Sequence, residues 1–352
     1  MTPTPTYISD CEVAANLTPQ VAYDAVSGAL AAHAKGLCVQ PLKQYVRPGG
    51  RDNEFEQGRL ICMPACINIG GRILGVKLIA GFPRNVRYGL PRASGLVILF
   101  DPVTGFPIAV MDCATLSARR TGAVAAICFD RFGSQDETVA IIGAGPISHE
   151  VILALNAGKR RVSRFRLFDL DRERAEKLRM TVAWQLHSDI HVAAELELCL
   201  RGATTVIAAT TGSKEYIDPA HLDACRLTVP LSLDDFKAET LLSTDKLVVD
   251  EFDGCAREEK LFHRLVRDGR LTRDKVYAEL GQVVAGMKPG RTGGERVFAN
   301  LMGMGCEDIS VAKAVYDKIL ENEALDQQID NNEHAICKHS RTIPINHSSW
   351  WR

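Results

Sequence analysis

From Gly133 onward the chain alternates short apolar runs with segments of helical spacing, and no other feature limits its fold so tightly. The runs are TVAIIGAG, RFRLFDLD, ATTVIAATT, CRLTVPLSL and DKLVVDEF. Between them lie segments such as RERAEKLRMTVAWQL and REEKLFHRLVRDG, whose apolar residues return with a helical period. Continuous apolar strands separated by helices predict a parallel sheet covered on both faces, so the fold class is α/β.

The first apolar run ends in a glycine turn. In TVAIIGAGPISHEVILAL a strand leads through Gly143 and Gly145 into a helix. These match the first two glycines of the dinucleotide-binding pattern G-x-G-x-x-G. The third position is Ser148, a departure that is still small enough for close helix–strand packing. Asp169 ends the next run, at the place where a carboxylate accepts the ribose hydroxyls and repels a 2′-phosphate. That favours NAD over NADP, while the neighbouring Arg172 pulls the other way.

A chain of 352 residues is too long for one ordinary core. Upstream of the alternation, residues 60–111 read as strands and hairpins, including RILGVKLIAG and the turn-joined LVILFDPVTGFPIAVMD. Thr18 and Pro19 predict a helix start at NLTPQVAYDAVSG. CATLSARRTGAVAAICFDRF returns to helical character. The expected division is a first domain over 1–130, completed by 306–325, and a nucleotide-binding domain over 131–305. The polar segment 326–352 is expected to be a poorly ordered tail.

Charge narrows the ligand. Forty-two basic against 43 acidic residues leave a net charge of −1, which argues against nucleic acid. No apolar run reaches the roughly 18 residues that span a bilayer. The N-terminus lacks the pattern of a signal peptide, and the 11 cysteines read as reduced thiols, so a cytoplasmic location is expected. Yet residues 57–100 hold Arg59, Arg72, Lys77, Arg84, Arg87 and Arg92 without one acid. A small polyanion such as a multi-carboxylate fits that excess. The clamp candidates are Lys43, Arg47, Lys77, Arg92 and Arg120, since the arginine fork matches a carboxylate. Arg119 and Arg120 are adjacent on a helix and face different ways. Asp234 and Asp235 follow an apolar run and offer an acid–base group, or a cap for the next helix. Cys62 and Cys66 lack a second ligand pair at zinc spacing, so no metal is expected.

Several segments together resemble the ornithine cyclodeaminase/μ-crystallin family. They are VQPLKQYVR, RASGLVILFDPVTGFPIAVMDCATLSARRTGAV, DKLVVDEFDGCAREEK, AELGQVVAG and MGMGCEDIS, and the likeness covers nearly all of residues 8–322. It is strongest to a branch that releases L-2,3-diaminopropionate from N-(2-amino-2-carboxyethyl)-L-glutamate in siderophore pathways. SLDDFKAET lacks the Pro-Gly-Lys seen in ornithine cyclodeaminases. The resemblance implies a Rossmann NAD-binding domain inserted in an α+β substrate-binding and dimerisation domain, and a homodimer. It implies a tricarboxylate amino-acid substrate held by Lys43, Arg47, Arg92 and Arg120, with Lys77 and Asp235 catalytic. It places NAD against Gly143, Gly145, Pro146, Ile147, Ser148, Asp169, Thr210, Met302 and Gly303. The implied products are diaminopropionate, 2-oxoglutarate and NADH. Asp235 would activate the water that opens the imine. An ornithine cyclodeaminase or an opine-type imino-acid reductase is the alternative.

Overall fold

A computed structural model describes residues 4–48 and 58–340, apart from Asp136, Arg161, His187, Ser213 and Glu258. Two sheets share one continuous apolar core. The first holds β1 (Thr6–Ile8), β2 (Cys38–Val39), β3 (Gln44–Val46), β4 (Arg59–Asn68), β5 (Arg72–Gly81), β6 (Ala93–Phe100) and β7 (Pro107–Asp112). Its order is β1-β7-β6-β5-β4-β2, with β3 also on β4. It is antiparallel except for the β1–β7 pair. Asp101 accepts the amides of Val103 and Thr104, at 3.1 and 2.7 Å, and so builds the β6–β7 turn.

Alternation gives this sheet two different faces. Met63, Ala65, Ile67, Ile73, Val97, Leu99 and Met111 are buried on the inner face. The long helix Gly305–Ser340 crosses that face over β4, β5 and β6, and packs on the helix Pro19–Ala34. The outer face shows Leu60, Leu74 and Leu96 at 36–38% exposure, in line with Tyr7 and Val39, which are more open still.

The second sheet holds β8 (Glu137–Ile142), β9 (Val162–Phe168), β10 (Asp189–Val192), β11 (Thr205–Ala208), β12 (Leu227–Pro230), β13 (Lys246–Val249), β14 (Val276–Glu279) and β15 (Val297–Asn300). Every pair is parallel, in the order β10-β9-β8-β11-β12-β15-β13-β14. The chain direction across the sheet reverses between β8 and β11. Open α/β sheets bind ligands in the crevice at such a switch point. The helix Ala114–Phe132 joins the two sheets and lies against the helix Pro146–Ala157. A Cβ on Gly122 would sit 2.6 Å from the Glu150 carbonyl oxygen at that crossing.

The long helix continues to Ser340, into the segment 326–352 that the sequence marks as a poorly ordered tail. After Gly305 it meets no glycine or proline before its end, so polarity alone does not stop it. Residues 341–352 lie outside the described residues. Among the described residues no helix is long and apolar enough to cross a membrane.

Candidate active site

The turn after β8 is shaped for a dinucleotide. Gly143 has φ of +95°, and a Cβ there would meet the Ala209 carbonyl oxygen at 2.6 Å, so only glycine fits. Gly145 caps the helix Pro146–Ala157, and the place of its absent Cβ is open space. Pro146 is exposed, Ile147 half-buried, and Ser148 is fully buried, its hydroxyl donating to the Gly143 carbonyl at 2.6 Å. That bond lets serine stand where a third glycine is usual. Asp169 accepts the amides of Ala144 at 2.7 Å and Asp171 at 2.9 Å, which fixes its carboxylate beside the turn. Free helix amides, an open cradle and a fixed carboxylate suit the pyrophosphate and ribose of a dinucleotide.

The substrate side is a buried ionic cluster. Lys77, in the middle of β5, is 1% exposed, and its Nζ lies 2.7 Å from Asp308 Oδ2 and 3.5 Å from Ser117 Oγ. Arg120 Nε donates to Asp308 Oδ1 at 2.8 Å, and Nη1 lies 3.3 Å from Glu307 Oε2. Burial pushes the Lys77 ammonium down to about 8 against the pull of Asp308, with Arg120 adding to the drop. Burial also pushes the Glu307 carboxyl up to about 7, which Arg120 opposes and Asp250 and Asp308 reinforce. Asp308 goes the other way: burial would raise it, but Arg120 and Lys77 hold it below the usual carboxylate range.

The segment Met302–Gly305, which leads from β15 into the long helix, gathers these groups. Lys43 Nζ donates to the Met302 carbonyl at 2.7 Å. The Gly303 amide donates to Asp250, and the Met304 amide donates to Glu307 at 3.1 Å. Gly303 has φ of +78°, and a Cβ on it would lie 2.3 Å from Arg120 Nη1. A cleft of about 460 Å³, open to solvent, is lined here by Lys43, Tyr45, Met63, Asp250, Met302 and Gly303, among others. Lys77 stands beside the lining residue Met63, its register partner on the neighbouring strand.

The adjacent pairs separate. Arg119 turns away to the Ala14 and Leu17 carbonyls and to Glu150 at 3.4 Å, while Arg120 enters the cluster. Asp234 is structural: it accepts the Leu261 amide at 3.0 Å and pairs with Lys260 at 2.7 Å and Arg264 at 3.2 Å. It caps a later helix, Leu261–Arg267, rather than the next one. Asp235 is 1% exposed and accepts hydroxyls from Thr210 at 2.5 Å, Tyr216 at 3.1 Å and Ser232. Its carboxylate thus ties Thr210, just past the end of β11, to the β12 loop, and makes no contact with the Lys77 cluster. Arg47 stacks on Tyr45, and Arg92 stands at the start of β6. Sequence reasoning missed Asp250, Glu307 and Asp308. The signal was there in CEDIS, an acid pair opening a helix in a chain whose basic window has no acid of its own.

Glu307 gives a pH signature. Its raised pKa adds stability that is full below its ordinary value of 4.5 and is lost as pH rises through about 7. Denaturant unfolding of the native chain should therefore weaken across that window by up to about 3 kcal/mol, and Glu307→Gln should remove the slope. An unchanged slope in the variant would place the titration elsewhere.

The sequence profile of the ornithine cyclodeaminase/mu-crystallin family matches residues 6–323. N-((2S)-2-amino-2-carboxyethyl)-L-glutamate dehydrogenase of Staphylococcus aureus is 33% identical over 316 residues, 88% of this chain and 93% of that protein. An archaeal alanine dehydrogenase dimer with bound NAD superposes with a TM-score of 0.80 at 26% identity, over 91% of this chain and 97% of that one. Delta(1)-pyrroline-2-carboxylate reductase of Thermococcus litoralis, in complex with NADH and L-proline, has the same fold. Its TM-score is 0.83 at 24% identity, over 90% and 98% of the two chains.

Proposed function

The chain belongs to the ornithine cyclodeaminase/mu-crystallin family, and from that premise we propose that it cleaves N-(2-amino-2-carboxyethyl)-L-glutamate oxidatively. Substrate, NAD and water give L-2,3-diaminopropionate, 2-oxoglutarate, NADH and a proton. It is an NAD-dependent oxidoreductase acting on an amine or imine amino acid. The observation that carries the reading is the convergence of three cations where β15 leads into the long helix: Lys43 on the Met302 carbonyl, Arg120 beside Gly303 and on Asp308, and Lys77 on Asp308. The name of the 33% identical Staphylococcus aureus enzyme supports the substrate.

The cradle of Gly143, Gly145 and Asp169 would hold the dinucleotide, with Thr210, Met302 and Gly303 on its nicotinamide side. When bound, that cofactor supplies the hydride acceptor. The remaining work falls to side chains. Arg120, fixed by Asp308 and Glu307, orients the carboxylate next to the reacting carbon. Lys77, with its pKa near 8, exchanges a proton at neutral pH where an ordinary lysine stays charged. Burial of this cluster excludes bulk water from the reacting centre. Asp235 positions Thr210 and the β12 loop through its three hydroxyl contacts, and we assign acid–base work to Lys77 ahead of it.

The test mixes purified protein, NAD and the synthetic substrate, follows NADH by absorbance, and assays both carbon products. Stoichiometric 2-oxoglutarate and diaminopropionate are expected. Turnover of ornithine with ammonia release, or of a cyclic imine with NADH, in place of these products would move the chain to another branch. The diaminopropionate would feed assembly of a siderophore in the cytoplasm.

The protein acts as a homodimer. The apolar outer face of the first sheet, around Leu60, Leu74 and Leu96, pairs with the same face of a second copy. Leu78→Glu, in the middle of that face, should shift the mass by light scattering from dimer to monomer. A native chain that runs as a monomer would sink this assignment.

A further inference from the structure

Among the described residues, four charged side chains line the cleft beside Gly303: Lys43, Asp250, Glu251 and Arg257. Two of them are already engaged by the protein. Lys43 donates to the Met302 carbonyl at 2.7 Å. Asp250 is 1% exposed and accepts the Gly303 amide, the Glu251 amide at 2.9 Å and the Cys255 thiol at 3.3 Å. Its oxygens are thus filled from the protein side.

Glu251 and Arg257 keep bonding capacity. They flank the short helix Phe252–Cys255, Glu251 at its N-cap and Arg257 just past its end. Among the described residues the Arg257 guanidinium makes no hydrogen bond or ion pair, and the two side chains do not pair with each other. Glu251 Oε1 faces His33 Nε2 at 3.8 Å, which leaves Oε2. A Cβ on Gly254 would lie 3.1 Å from that Oε2, and Gly254 also lines the cleft. Any larger residue there would crowd the oxygen, so glycine leaves it room for a ligand. An acid and a base on one wall, neither neutralising the other, match a ligand end that carries both charges. A carboxylate accepts from an ammonium, and the guanidinium fork matches a carboxylate. An end that is only anionic meets Asp250 and Glu251, and one that is only cationic meets Lys43 and Arg257.

We propose that Glu251 and Arg257 form a zwitterion station for the amino-acid end of the substrate, Glu251 on its α-ammonium and Arg257 on its α-carboxylate. The inference rests on the proposed function for the identity of that end. Arg120 takes the carboxylate beside the reacting carbon, and the cleft reaches it past Gly303, where a Cβ would lie 2.3 Å from Arg120 Nη1. Glu251 and Arg257 are specificity-determining residues here. They select substrates whose far end bears an amine next to a carboxylate over those that bear a carboxylate alone.

Titration of the NADH-loaded protein with L-2,3-diaminopropionate, L-isoserine and 2,3-diaminopropionamide tests both halves of the station. Isoserine puts a hydroxyl in place of the α-ammonium, and the carboxamide removes the carboxylate charge. The native protein should bind diaminopropionate about tenfold tighter or more than either analogue. Glu251→Gln should bring diaminopropionate to the level of isoserine and leave isoserine as it was. Arg257→Met should bring it to the level of the carboxamide and leave the carboxamide as it was. Both variants should keep NADH affinity, and Arg257→Lys should recover part of the preference. If Glu251→Gln does not fold, the exposed Arg257 still reads the station. Equal binding of the three ligands by the native protein, or equal loss of all three in the variants, overturns the station. Turnover of aminocarboxyethyl-glutamate without the preference strikes the station alone. The preference without turnover strikes the proposed reaction alone.

Discussion

Lys77→Met should lower kcat by about 10³-fold while NAD affinity stays as it was. The side chain is buried between Asp308 and Ser117, and methionine matches its length and apolar stem without its ammonium. The dinucleotide cradle belongs to the other sheet, so NAD binding reads the fold and turnover reads the lysine. The native pH profile of kcat/KM should carry a limb near 8, where the Lys77 amine loses its proton. Activity rises through that limb with increasing pH, because the neutral amine is the form that accepts a proton. The limb should vanish in the residual activity of the variant. Turnover within tenfold of native would remove Lys77 from the chemistry.

Asp308→Ala should cost about 3–5 kcal/mol, the largest loss of stability expected from a single change here. It leaves Lys77 and Arg120 buried against each other without the carboxylate that neutralises both. For a protein of this size the melting temperature should fall by roughly 4–7 °C. Adding Lys77→Met to Asp308→Ala should restore part of the loss, since one stranded cation disappears. Calorimetry on the four proteins of that cycle reads the coupling directly. Strictly additive losses would mean that the pair does not interact.

Much of this was legible in local pattern. The glycine turn, the Asp169 carboxylate and the alternation of strand and helix depend on residues near one another, and period alone reveals them. The hairpin LVILFDPVTGFPIAVMD was readable for the same reason, since Asp101 and Gly105 build its turn. The choice between Arg119 and Arg120 was not readable. Neighbours on a helix point about 100° apart, and the rotation of Ala114–Phe132 is set by packing on distant helices. Asp234 and Asp235 separate for a like reason, since the partners of Asp234 come from Lys260 and Arg264. Glu307 and Asp308 were missed because their meaning depends on cations brought together only by the finished fold. Where the long helix ends was not readable either, because a polar run without glycine or proline is compatible with helix as well as with a poorly ordered tail.

Arg120 and Asp308 are 188 residues apart in the chain. A ribosome adding about 5–20 residues per second makes the carboxylate roughly ten to forty seconds after the guanidinium. Through that interval Lys77 on β5 and Arg120 on the helix Ala114–Phe132 lack the carboxylates of Glu307 and Asp308, and the apolar face that Gly305–Ser340 will cover stays open. The second sheet carries its own strands in one stretch and can be finished in the meantime. Synthesis thus runs opposite to assembly: the first half to emerge is the last to close, and the closing element also brings the acids that finish the site.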